Sequence, residues 1–198
     1  MLIPMKSSRQ KYRAVVYCAS AAGFNPAYPE AASALGRGLA HAGIGLVYGG
    51  ATVGTMGAVA NAALAAGGEV IGVLPEVLSS REIGHTGLSE LIATASMHER
   101  KARMLELSNA VIALPGGFGT LDELMEAVTW AQLGIHNKPC VLVNVLGYYE
   151  GLLAFLDTAV REGFLKAANR QLILVAASVD QAISILKNHM KENDDVPV

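Results

Sequence analysis

Apolar and polar positions follow two alternating rhythms along this chain. Short runs in which nearly every residue is apolar are separated by longer stretches in which apolar residues return every three or four positions. A continuous apolar run of strand length is expected of a strand covered on both faces, and the three-to-four spacing is that of an amphipathic helix. The runs predict strands over 13–20, 44–48, 69–74, 110–114, 139–145 and 172–175, with a short strand over 91–94. The periodic stretches predict helices over 29–42, 55–66, 97–107, 120–133, 149–162 and 179–190, while 76–88 has no clear period and reads as a long loop. Strands alternating with helices imply an α/β fold, a parallel sheet with helices on both faces. No repeat or linker divides the chain, so residues 13–190 read as one domain. Residues 1–12 form an extension and the polar 191–198 a tail, both expected to be flexible.

Composition narrows the class of partner. Of the 198 residues 52% are hydrophobic and 16% charged, which argues against disorder. A net charge of −2 gives no electrostatic footprint for nucleic acid or for a membrane surface. Residues 1–13 lack the apolar run of a secretion signal, and no segment reaches the roughly 18 apolar residues of a membrane span, so a cytoplasmic location is expected. Cys18 and Cys140 sit in separate apolar runs and read as buried free thiols; their spacing does not suit a metal site, and no metal is expected.

Two strand-to-helix turns are rich in glycine. One contains Gly49, Gly50, Gly54 and Gly57 in YGGATVGTMG; the other contains Gly116, Gly117 and Gly119 in PGGFGTLDE. Glycine lets a ligand approach the main chain, and the helix that follows presents free N–H groups to an anion, phosphate above all. Neither turn is a P-loop, because no Gly-Lys-Ser/Thr follows. The spacing around Gly50, Gly54 and Gly57 does not match a dinucleotide fingerprint, although Glu76 stands where a ribose-binding acid would.

Charge placement adds two oddities. Ser96 and Glu99 fit a capping box at the start of the 97–107 helix. Arg100 and Lys101 then fall within the apolar arc defined by Met97, Met104, Leu105 and Leu107, near a helix N-terminus that disfavours cations. Either they snorkel to water, or they face an anion or carboxylate in a cleft. Thr120 and Glu123 also fit a capping box, so pattern alone reads Glu123 as a cap; yet it lies one turn from the glycine-rich loop, where a carboxylate could act on a sugar. Trp130 and Met125 read as packing or subunit-interface residues, and His98 as solvated.

PGGFGTLDE and MHERK, in this order and separation, match the two signatures P-G-G-x-G-T-x-x-E and M-H-x-R-K of the LONELY GUY family, and YGGATVGTMG resembles that family's third glycine-rich turn. The resemblance runs from about Val15 to Val175. It implies a Rossmann-like, doubly wound fold, a homodimer, and cleavage of N6-modified adenosine monophosphates, or AMP itself, to free base and ribose 5-phosphate without a cofactor. It further implies that Gly116, Gly117, Phe118, Gly119 and Thr120 hold the phosphate and that Arg100 and Glu123 form the catalytic pair. Glu82, Lys101 and Thr129 would join the substrate site, some of them from the partner subunit; Gly49, Gly50 and Gly54 form a second candidate turn. Ala51 and Thr55 depart from the usual glycine and leucine of that second turn. The label of lysine decarboxylase attached to many such proteins does not suit this chain, which shows no lysine in a pyridoxal phosphate context. The alternatives are a non-enzymatic nucleotide-binding or carrier module of the same fold, and a nicotinamide-dependent enzyme.

Overall fold

The computed structural model describes residues 12–76 and 84–194. Seven parallel strands form one sheet: β1 (Arg13–Tyr17), β2 (Gly45–Tyr48), β3 (Val70–Pro75), β4 (Glu90–Thr94), β5 (Ala110–Ala113), β6 (Cys140–Val143) and β7 (Ile173–Ala176). The helices are α1 (Ala27–His41), α2 (Gly54–Ala65), α3 (Met97–Glu106), α4 (Phe118–Gln132), α5 (Glu150–Arg161), the single turn α6 (Ala167–Arg170) and α7 (Val179–Asp194). The α/β expectation is met. On one face Leu35 and Leu39 of α1, Val59 of α2 and Leu186 of α7 pack on Leu46 and Ile112. On the other, Met104 and Leu105 of α3 and Leu124 of α4 pack on Val47, Val111 and Leu142. Strands buried on both faces are the reason their sequences are apolar throughout.

Strand order is β4-β3-β2-β1-β5-β6-β7. The chain winds outward from β1 to β4, then crosses back to add β5 on the other side of β1. The turns after β1 and β5 therefore diverge, opening a crevice at the carboxyl ends of these two strands, where ligands of such sheets bind.

Several boundaries differ from the sequence expectation. β1 ends at Tyr17 rather than residue 20, because the next residues turn onto the start of α2. Helix α4 begins at Phe118, two residues before Thr120. Helix α7 continues to Asp194, through the first residues of the expected tail. Helix α6 was not anticipated; four residues are too few to establish a period. Most of the N-terminal extension, the end of the tail and Glu82 lie outside the described residues.

Candidate functional site

Ser96 caps the helix as read, but the Glu99 carboxylate takes its reciprocal bond from the residue before the cap. The Glu99 N–H donates to Ser96 Oγ at 3.1 Å, and the Ala95 N–H donates to the Glu99 carboxylate at 2.7 Å. This fixes the first turn of α3 and turns Arg100, the next residue, into the protein. Arg100 is only 7% exposed. Its Nε donates to the Val73 carbonyl at 3.1 Å, its Nη2 to the Gly49 carbonyl at 3.5 Å and its Nη1 to Glu123 Oε1 at 3.1 Å. Of the two readings of this cation, the carboxylate partner is the one observed.

Glu123 is not a cap. Because α4 starts at Phe118 with Gly117 as its N-cap, Glu123 is already inside the helix, on the buried face. Burial pushes its pKa up to about 7; the Arg100 charge pulls the other way without prevailing, and Asp122 adds a smaller upward push. Near neutral pH the carboxyl is therefore poised between its two states. Cys18, beside it, is pushed up to about 12, chiefly by burial and secondarily by the Glu123 charge, and stays a neutral thiol.

A cleft of about 330 Å³ opens over this pair, lined by Cys18, Ala19, Ser20, Ala21, Met56, Arg100, Gly117, Phe118, Gly119, Thr120 and Glu123. No side chain caps α4, and the first amide bonded back into it is Leu121 N–H to Gly117 O. The amides of Phe118, Gly119 and Thr120 thus remain for an anion at this positive helix end. Thr120 is buried; a Cβ at Gly116 would lie 2.1 Å from its hydroxyl, so Gly116 is required for Thr120 to pack under the turn. Phe118 offers its amide only, its ring being exposed.

The second glycine turn serves a different purpose. The Thr55 and Met56 amides donate to the carbonyls of Ala21 and Ala19, and Thr55 Oγ1 both accepts from the Ala19 N–H at 2.9 Å and donates to its carbonyl at 3.1 Å. Protein carbonyls thus take up amides that an anion would otherwise use. A Cβ at Gly49 would sit 2.2 Å from Arg100 Nη2, and one at Gly54 2.3 Å from the Ser20 carbonyl carbon. Gly49 makes room for the guanidinium, Gly54 lets α2 meet the turn after β1, and Gly50 takes a left-handed φ of 81° beside Leu74 and Leu91.

Lys101 and Thr129 stand apart from the cleft. The Lys101 ammonium is held by Asp122 at 3.0 Å and Glu126 at 2.8 Å, and Thr129 Oγ1 donates to the Met125 carbonyl at 2.6 Å. Both line a shallow groove of about 470 Å³ on the outer side of α4, with Phe118, Leu121, Met125 and Trp130. The turn after β1, Cys18–Ala21, escaped the sequence reading; its only signal is a run of small residues ahead of Gly23. Among the described residues, no group of three His, Cys, Asp or Glu is placed to hold a metal ion, and no helix is long and apolar enough to cross a membrane.

Known proteins of the same pattern are numerous. A protein family described as "Possible lysine decarboxylase" matches residues 56–186. A cytokinin riboside 5′-monophosphate phosphoribohydrolase of Arabidopsis thaliana is 47% identical over 184 residues, covering 93% of this chain and 86% of the relative. Its counterpart from Oryza sativa is 46% identical over 185 residues, 93% and 76% of the two chains. Among solved structures, the molybdenum cofactor carrier protein of Chlamydomonas reinhardtii superposes with a TM-score of 0.69 at 27% identity, covering 91% of this chain and 99% of the carrier. The molybdenum cofactor binding protein of Rippkaea orientalis does so with a TM-score of 0.69 at 26% identity, covering 93% and 99%.

Proposed function

The chain belongs to the LONELY GUY family of phosphoribohydrolases, and we propose that it hydrolyses the N-glycosidic bond of adenosine 5′-monophosphates, N6-modified or plain, to free base and ribose 5-phosphate. The observation that carries this reading is the buried Arg100–Glu123 pair facing the same cleft as the uncapped start of α4. The phosphate docks on the amides of Gly117 to Thr120. The sugar then lies over Glu123, one helical turn further along α4.

Departure of the base takes the bonding electrons from C1′ and leaves oxocarbenium character on the ribose. Ionised Glu123 stabilises that charge and accepts a proton as water adds to C1′, while the departed base takes up a proton from solvent to leave as the neutral free base. Arg100 is always charged and cannot serve as a general acid. With its donors committed to Val73, Gly49 and Glu123, it orients the carboxylate and favours its ionised form. Binding energy from the phosphate, remote from the breaking bond, holds the sugar in register.

We also propose a homodimer formed through the outer side of α4, whose half-buried Met125 and Trp130 and exposed Phe118 suit an interface. In that arrangement Lys101, Thr129 and Glu82 reach the substrate of one subunit or the other. A cytoplasmic protein without nucleic acid partners fits the net charge of −2.

Chromatographic detection of adenine released from AMP and from N6-isopentenyl-AMP tests the activity. The wild type is expected to release base, and Glu123→Gln to lose about 10²–10⁴-fold in kcat while still binding AMP. Base release from neither nucleotide would reject the hydrolase in favour of a carrier.

A further inference from the structure

The phosphate turn has a mechanical weakness. A peptide plane reorients by coupled changes of ψ in one residue and φ in the next, and the plane joining Gly116 to Gly117 is flanked by glycine on both sides, where such rotation meets least steric resistance. Moreover, a trans peptide points its C=O and N–H in opposite directions. Whatever holds the Gly116 carbonyl therefore also decides where the Gly117 N–H points.

That carbonyl is held from another element. Tyr148, in the connection between β6 and α5, donates its phenolic O–H to Gly116 O at 2.8 Å. Its neighbour Tyr149 donates to Leu114 O at 2.6 Å, on the other side of Pro115. The two phenols thus anchor the carbonyls on either side of the proline. Their own placement is set with care. Asn144 Oδ1 accepts from the Tyr149 N–H at 2.8 Å while its Nδ2 donates to Glu150 at 2.6 Å, and Leu146 adopts a left-handed φ of 54° to bring the tyrosines round. The Tyr148 ring stacks edge-to-face between Tyr149 at 4.9 Å and Tyr28 at 5.7 Å.

We propose that Tyr148 is a positioning residue that locks the Gly116–Gly117 peptide plane with its N–H toward the cleft, and so sets the preference for a 5′-phosphate. The inference rests on the phosphate-binding role given above to this turn. It assigns Tyr148 no contact with the reacting atoms.

Tyr148→Phe keeps the ring stack and removes only the lock. Calorimetric titration of the full chain with AMP and with adenosine reads the effect without relying on turnover. Binding of AMP is expected to weaken about tenfold, as for loss of one oriented, charge-assisted contact, while adenosine binding stays unchanged. In the hydrolysis assay kcat/KM for AMP falls by about the same factor, with its pH profile unaltered. Tyr28→Phe, which leaves the Tyr148–Gly116 bond in place, is expected to match the wild type. An unchanged AMP affinity in Tyr148→Phe overturns the proposal. So does equal weakening of AMP and adenosine, which would reveal a general loss of structure. Wild type that binds AMP without cleaving it would reject the hydrolase reading and leave this test intact. Wild type that binds neither AMP nor inorganic phosphate would overturn the lock together with the phosphate turn itself.

Discussion

Gly49→Ala adds one methyl group and probes the proposed catalytic pair without altering either member. The new Cβ would lie 2.2 Å from Arg100 Nη2 and 2.8 Å from Met56 Sδ, against the 3.4 Å at which ordinary contact begins. Relief to ordinary contact takes the guanidinium, the far end of a flexible side chain, back by 1.2 Å, the difference between 3.4 and 2.2 Å. Taking the two charges as about 4 Å apart, the effective dielectric as about 20 and the movement as away from Glu123, a retreat of roughly 1.2–2 Å weakens their attraction by about 1.0–1.4 kcal/mol. That raises the Glu123 pKa by about 0.7–1 unit. The sign is definite: Glu123 works ionised, so kcat/KM rises with pH through its pKa, and a higher pKa costs activity only on the acid side. On the acid limb of the profile the ionised fraction falls about five- to tenfold, and well above the pKa the two proteins converge. The assay is kcat/KM for AMP measured from pH 5.5 to 9.5. Gly68→Ala is the control, since its Cβ meets Ala40 at 2.8 Å and the Ala63 carbonyl at 3.0 Å, away from Arg100 and the carbonyls that hold it. An equal proportional loss at every pH, or the same shift in the control, would refute the argument that Gly49 acts through Arg100 on Glu123.

Other expectations follow from the same geometry. Thr55→Val leaves the Ala19 N–H without its partner, and should destabilise by roughly 1–3 kcal/mol, lowering the melting temperature by about 3–10 °C; an unchanged melting temperature would show that the clamp contributes nothing. Because the folded pKa of Glu123 lies above its model value of 4.5, the folded state holds a proton that the unfolded chain has released, and stability from this group is lost as pH rises through about 7. Urea unfolding of Glu123→Gln should therefore depend less on pH between 5 and 8 than that of the wild type. Thr129→Arg places a bulky cation on the exposed outer side of α4, and sedimentation velocity should register a monomer; a persistent dimer would put the interface elsewhere.

What could be read in the sequence and what could not divide by physical range. The alternation of runs and periods is local, and among the described residues it yielded the sheet, its parallel strands and every helix except the short turns at α6 and Val145–Gly147. The Ser96 cap is local too, and so is the helical arc of Met97, Met104, Leu105 and Leu107 that put Arg100 among the apolar positions, where it is buried. Glu123 shows where local pattern fails. Thr120 and Glu123 have capping-box spacing, but Gly117 is the N-cap, and the partner that claims Glu123 lies 23 residues away on α3. The turn after β1 was invisible for a similar reason. Its mark on the sequence falls elsewhere, at Gly54, where a Cβ would lie 2.3 Å from the Ser20 carbonyl carbon, a demand the turn makes of a helix far along the chain. At the second glycine turn, glycine signals close approach without saying what approaches; Gly49 lies against a guanidinium and Gly54 against a neighbouring backbone.

Fold and phosphate turn cannot separate a hydrolase from a carrier, since cofactor carriers superpose on this chain over nearly its full length. The buried carboxyl can. An ionised Glu123 facing the same cleft repels a bound phosphate, by roughly 2 kcal/mol per unit charge at about 8 Å and an effective dielectric of about 20. It also weakens the fold near neutral pH, because its burial raises the pKa to about 7. A protein that only holds a nucleotide suffers both effects and gains nothing. A protein that must stabilise positive charge at C1′ needs that carboxylate in that place. The two functions therefore separate on turnover rather than on affinity. Removing the Glu123 charge relieves the repulsion and tightens AMP in either case, but only a hydrolase loses base release in Glu123→Gln.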